Sequence, residues 1–190
     1  NANAVAELTI SKMLDISRGT FTANYDVKYN HEWDKYKFEG RELRGKTLGI
    51  MGFGRIGQRG GELGRAFQRN IVAYDPFLPD DVFKQQCATK ASIDELIKVA
   101  DFISIHVPLT PETKNLFNKK SIAEMKDGAV VLNMSRGGIV NEADMYEALK
   151  EGRIGGYAAD VMENELAGSG LTGNDTFASP LFECDNFIVS

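Results

Sequence analysis

The chain has 190 residues, 43% of them hydrophobic and 26% charged, with 19 glycines and 5 prolines. This is enough for one ordinary domain with a sizeable core, and it excludes disordered, collagen-like and low-complexity chains. A formal net charge of -5 argues against nonspecific attraction to nucleic acid or anionic lipid.

The apolar residues Val5, Leu8, Ile10, Met13, Leu14 and Ile16 fall mostly at helical spacing, which predicts one amphipathic helix from Ala4 to Arg18 stopped at Gly19. Residues 21–46 mix aromatics and charges (Tyr25, Tyr29, Trp33, Tyr36, Phe38) without a sustained period and read as a connecting loop. After Gly45 the texture changes. Short β-branched or aliphatic runs at Thr47–Met51, Ile71–Tyr74, Phe102–Val107, Val130–Met134, Tyr157–Val161 and Phe187–Val189 alternate with helical patterns. That alternation predicts an α/β fold, a Rossmann-like, doubly wound parallel sheet with helices on both faces. Ser92 and Glu95 have capping-box spacing, and Asn141 precedes a helical run that stops at Gly152.

The first strand runs into Gly52-Phe53-Gly54-Arg55-Ile56-Gly57, a G-x-G-x-x-G turn, and then into a helix expected to end near Arg69. In this context Gly52 permits the tight turn, Gly54 lets the backbone approach a pyrophosphate, and Gly57 lets the helix pack on the strand. Free amides at the helix N-terminus then face the anion. Asp75 closes the next strand near the offset expected of the acid that binds the adenosine ribose, and its charge opposes a 2′-phosphate, which favours NAD over NADP. Gly60, Gly61 and Gly64 within the same helix each cost about 1 kcal/mol relative to Ala, unless close packing against the sheet compensates.

Three later blocks follow strands. His106-Val107-Pro108-Leu109-Thr110 ends a strand with a proline turn, at the sheet edge where open α/β folds bind ligands. Asn133-Met134-Ser135-Arg136-Gly137-Gly138 ends another with an arginine suited to holding a carboxylate bidentately, although Arg136 alone reads equally as a surface residue. The third block, Asp160 to Glu165, is by itself compatible with ordinary solvated loop acids.

In this order the four blocks resemble the D-isomer-specific 2-hydroxyacid dehydrogenases, over essentially the whole chain. The resemblance implies that Arg55 and Ile56 bind the pyrophosphate through main-chain amides and Asp75 the ribose. Val107, Pro108, Thr113, Met134 and Ser135 would line the adenine or nicotinamide side, Arg136 would also contact the cofactor, and Asp160 would hold the carboxamide. Arg136 would act in catalysis by clamping the substrate's carboxylate and carbonyl, and Glu165 by hydrogen-bonding a catalytic histidine and raising its pKa. That histidine is expected beyond Ser190, because His106 belongs to another block and reads as a structural or supporting residue, and His31 as a solvated one.

The resemblance also implies a substrate domain built from segments on both sides of the chain, two-fold dimerisation through the nucleotide-binding domain, and a small 2-hydroxy or 2-oxo acid as substrate. A first residue other than Met and a last stretch that reads as an unfinished strand fit a piece of a longer polypeptide. Residues 1–20 are then the link to the substrate domain and a dimer contact, and 47–190 the NAD-binding domain. Residues 163–182 are rich in Gly and Asn and carry no evident pocket chemistry. The two cysteines and two histidines are too dispersed for a disulfide framework or metal site, and no apolar run approaches the roughly 20 residues of a membrane span. The expected location is the cytoplasm, with no nucleic-acid or membrane partner. A non-catalytic NAD(H)-sensing module, like the C-terminal-binding corepressors that resemble the same family, is the alternative.

Overall fold

The structure, a computed structural model, describes residues 1–165 and 177–190; part of the 163–182 stretch therefore lies outside the described residues. Helix α1 (Ala2–Arg18) ends where Gly19 adopts a left-handed conformation and its N–H donates to the Asp15 carbonyl. Strands β1 (Thr47–Met51), β2 (Asn70–Tyr74), β3 (Thr89–Lys90), β4 (Phe102–Ile105), β5 (Ala129–Asn133), β6 (Ile154–Ala159) and β7 (Phe187–Val189) form one sheet in the order β3-β2-β1-β4-β5-β6-β7. Every pairing is parallel. The chain winds outward from β1 to β3, returns to β4 beside β1, and winds outward again to β7, so the reversal point lies between β1 and β4.

Alternation along the strands sends side chains to two separate cores. One face buries Leu48, Ile50, Ile71, Phe102, Val130 and Leu132 beneath α1, α3 (Arg55–Ala66) and α4 (Asp80–Gln85), which add Met13, Leu63 and Phe83. The other buries Ile103, Ile105, Val131, Tyr157 and Phe187 beneath α5 (Ile93–Val99), α6 (Lys119–Glu124) and α7 (Glu142–Lys150), through Leu96, Ile122 and Met145. Helices thus cover both faces. The Ser92–Glu95 capping box forms at α5, and the Asn141 side chain caps α7 by accepting from the Asp144 amide.

Where residues 21–46 read as a loop, the structure has a helix, α2 (Thr20–Tyr25), and a single π-helical turn (Asp26–Asn30). Asp26 holds that turn: its carboxylate accepts from Asn30 Nδ2 at 3.0 Å and from Lys37 Nζ at 2.7 Å. Neither contact leaves an apolar period in the sequence. Strand β6 starts at Ile154, three residues before the expected Tyr157, and takes in the glycine pair Gly155 and Gly156. A Cβ at Gly155 would collide with the Gly128 carbonyl and Arg41, and one at Gly156 would lie 2.7 Å from Ile16 of α1. The glycines therefore admit neighbouring chain to the strand. Val107, Met134 and Val161, expected to close strands, lie just beyond strand ends.

Candidate functional site

The C-terminal ends of β1, β4 and β5 open onto a cleft of about 780 Å³ at the reversal point. It is lined by Gly54, Arg55, Ile56, Gly57, Val107, Pro108, Met134, Ser135 and Arg136, all singled out in the sequence. Asn1, Ala2, Asn3 and Val5 of the α1 end and His106 complete the wall. Nothing in the sequence indicated that the start of α1 would reach the site, because only the packing of α1 on α3 brings it there.

Gly52 has φ 92°, and a Cβ there would lie 2.6 Å from the His106 carbonyl oxygen. Glycine is required because the turn is left-handed and the end of β4 presses against it. At Gly57 a Cβ would strike the Gly52 carbonyl, so α3 can approach the strand only without one. At Gly54 a Cβ would meet nothing within 4 Å, and the backbone there is bare to the cleft. No side chain caps α3, and the first intrahelical bond at this end is donated by Gln58 N to the Gly54 carbonyl. The amides of Arg55, Ile56 and Gly57 thus head a helix N-terminus that faces the cleft, a fit for a dinucleotide's pyrophosphate.

Asp75 stands beside this turn, outside the residues that line the cleft. Its Oδ2 accepts from Phe53 N and its Oδ1 from Phe77 N, both at 3.0 Å, so the carboxylate is fixed at the end of β2. Thr113 also stands back from the cleft: its hydroxyl donates to the Pro108 carbonyl at 2.7 Å and accepts from Thr110 N at 2.8 Å, holding the proline turn in shape. Ser135 Oγ donates to the Val107 carbonyl and ties the β4 and β5 turns together. Asn133, which the motif reading did not single out as a site residue, organises the Arg136 turn. Its buried amide donates to the Arg136 carbonyl at 3.0 Å and accepts from Ser135 N at 3.1 Å. The exposed Arg136 side chain folds onto its own turn, donating to the Ser135 carbonyl at 2.7 Å.

Asp160 and Glu165 line an adjoining recess of about 270 Å³ with Met162 and Ser190. Asp160 Oδ1 accepts from Ser190 Oγ at 3.0 Å, and Glu165 Oε2 accepts from Met162 N at 3.0 Å. His106 is partly exposed at the cleft, with its Nε2 2.6 Å from Ser104 Oγ. Its Nδ1 is buried and has no partner among the described residues, and burial pushes its pKa down to about 4. Among the described residues no group of three or more metal-ligating side chains converges, and no helix is long and apolar enough to cross a membrane.

A parallel sheet with a glycine turn at its reversal point defines a dinucleotide-binding domain. Residues 10–190 match the D-isomer specific 2-hydroxyacid dehydrogenase family, NAD binding domain, and the chain belongs to that family. It is 46% identical over 163 residues to the D-3-phosphoglycerate dehydrogenase of Methanocaldococcus jannaschii, covering 85% of this chain and 31% of that protein. Against the hydroxypyruvate reductase of Thermotoga maritima it is 41% identical over 190 residues, covering 100% of this chain and 59% of the relative. The D-lactate dehydrogenase of Aquifex aeolicus, solved with NAD and lactic acid, superposes with a TM-score of 0.88 at 32% identity, covering 100% of this chain and 59% of that one. The chain thus spans between about a third and three fifths of the length of these relatives. These three relatives carry the names of dehydrogenases and a reductase.

Proposed function

We propose that the chain supplies the cofactor half of an enzyme that transfers a hydride between NAD(H) and a D-2-hydroxy acid or its 2-oxo counterpart, of phosphoglycerate, glycerate or lactate type. The observation that carries this reading is the meeting, along one sheet edge, of the glycine-turn cleft, the Arg136 turn and the Asp160–Glu165 recess. Arg55 and Ile56 hold the pyrophosphate through their amides, and Asp75 holds the ribose. Val107, Pro108, Thr113, Met134 and Ser135 shape the adenine and nicotinamide side, and Asp160 orients the carboxamide. Bound NADH supplies the hydride. Arg136 swings from the Ser135 carbonyl to clamp the substrate's carboxylate and carbonyl, where its fork matches two oxygens at once. Glu165, whose Oε1 has no partner among the described residues, accepts from an imidazolium contributed by the rest of the polypeptide and favours its protonated form.

A substrate domain joined to this one would complete the site and select the side chain of the acid. The exposed Leu14, Phe21, Tyr25, Tyr29, Trp33 and Tyr36 of α1 and the segment after it suit a homodimer contact. Both cysteines are free, which fits a reducing cytoplasm. The test is NADH oxidation by 2-oxo acids of increasing size, in a polypeptide joining this chain to its substrate domain. Arg136→Lys is expected to raise KM for the 2-oxo acid about 100-fold, with a much smaller effect on NADH affinity. Absence of turnover with every 2-oxo acid, alongside intact NADH binding, would favour the sensing module instead.

A further inference from the structure

The loop that carries Glu165 is clasped to the start of α7 by two hydrogen bonds that run in opposite directions. Glu142 N donates to Glu163 Oε1 at 2.9 Å, and Glu163 N donates to Glu142 Oε1 at 2.7 Å. Glu142 is the first residue of α7, so the Glu163 carboxylate also sits at that helix's positive end. Two carboxylates are thereby held near each other and near Glu165. Half-burial beside Glu163 and Glu165 raises the pKa of Glu142, and the amide of Glu163 offsets part of that rise. Side chains arranged against their own repulsion imply that the loop's position matters.

A second contact fixes the same loop from the other side. A Cβ at Gly137, next to Arg136, would collide with the Met162 carbonyl, so the two backbones are in direct apposition. The Met162 amide in turn donates to Glu165 Oε2 at 3.0 Å, and the Glu165 amide donates to the Met162 carbonyl. Arg136 and Glu165 thus belong to one unit, whose spacing is set by Gly137 on Met162 and whose outer edge is pinned by the Glu142–Glu163 clasp.

We infer that Glu142 and Glu163 are positioning residues, whose reciprocal hydrogen bonds hold Glu165 at the spacing from Arg136 that proton and hydride transfer require. The inference rests on the proposed function. It is tested in a polypeptide joining this chain to its substrate domain, with Glu142→Ala, Glu163→Ala, Glu163→Gln, Glu165→Gln and the double variant Glu163→Ala/Glu165→Gln. Misplacing a participating group by about 1 Å costs on the order of 100-fold in rate. Glu142→Ala and Glu163→Ala are therefore expected to lower kcat about 10- to 100-fold with NADH affinity unchanged, and Glu163→Gln, which keeps an acceptor oxygen, to recover most of it.

In the double variant, Glu163→Ala should cost little beyond Glu165→Gln, because it acts through that side chain. Unchanged kcat in both alanine variants, or additive losses in the double variant, would overturn the inference while leaving the dehydrogenase reading intact. A wild type that binds NADH yet reduces no 2-oxo acid would overturn both.

Discussion

Two alanine substitutions in one helix separate the cofactor turn from ordinary packing. Gly57 and Gly60 both lie buried in α3, less than one turn apart. At Gly60 a Cβ would find nothing within 4 Å, so alanine there gains helix propensity without a clash. That gain is about 1 kcal/mol, or about 2–4 °C in thermal midpoint for a chain of this size. At Gly57 the added carbon meets the Gly52 carbonyl, with Ile50 Cγ2 at 3.0 Å behind it. A backbone carbonyl in a left-handed turn cannot step aside, so α3 must lift from the strand and carry the Arg55 and Ile56 amides with it. Overpacking of this kind costs about 1–3 kcal/mol. Loss of two amide contacts to a charged phosphate, at about 1.5–3 kcal/mol each, lowers NADH affinity by at least about 100-fold. Thermal melts and NADH titrations of both variants measure the two effects. Wild-type NADH affinity in Gly57→Ala, or a lowered midpoint in Gly60→Ala, would refute the reasoning.

Other buried groups make equally definite expectations. Although His106 is partly exposed, burial of its ring nitrogen pushes its pKa down to about 4 in the folded chain, whereas an unfolded histidine titrates near 6.5. The unfolded state therefore takes up the proton first, and the stability this site contributes is fully present above pH 6.5 and is lost as pH falls from 6.5 to about 4. The loss reaches about 3 kcal/mol, and His106→Gln should remove this part of the slope in urea denaturation between pH 7 and pH 4.5; equal slopes in both proteins would contradict it. Arg69 is 5% exposed, its three guanidinium nitrogens have no acceptor among the described residues, and it lies 4.4 Å over the Phe102 ring. Burial pulls its pKa down to about 10, so desolvation opposes the stacking contact. Arg69→Met is expected to hold or raise the thermal midpoint, and a fall of more than about 4 °C would show that the buried charge is net stabilising.

The parts of this protein legible in its sequence are those whose physical cause is local. β1, the glycine turn and Asp75 follow one another along the chain, and their order alone predicts the strand, the turn and the acid that closes the next strand. The Ser92 and Asn141 caps are local in the same way. Short elements escaped: α4 and α6 have six residues each and β3 two, too few to show a period. The Asn118–Ser121 box that starts α6 uses a serine where glutamate is the familiar signal. The cleft's Asn1–Val5 wall and the Glu142–Glu163 clasp depend on residues brought together only by folding, across 21 positions in the latter case. Asp75 and Thr113 had site signals, and the hydrogen bonds by which they also brace the neighbouring turns, to Phe53 N and to the Pro108 carbonyl, leave no mark in the sequence.

In the proposed function the Gly52–Gly57 turn and Asp75 together bind NAD and select it over NADP. Calorimetric titration of the 190-residue chain with NADH and with NADPH, beside Asp75→Ala, tests it most directly. NADH is expected to bind in preference to NADPH. Removal of the charged acceptor is expected to lower NADH affinity about 10- to 100-fold and to narrow the preference for NADH. Equal affinity for both cofactors, or an Asp75→Ala variant that binds NADH as tightly as the wild type, would contradict it.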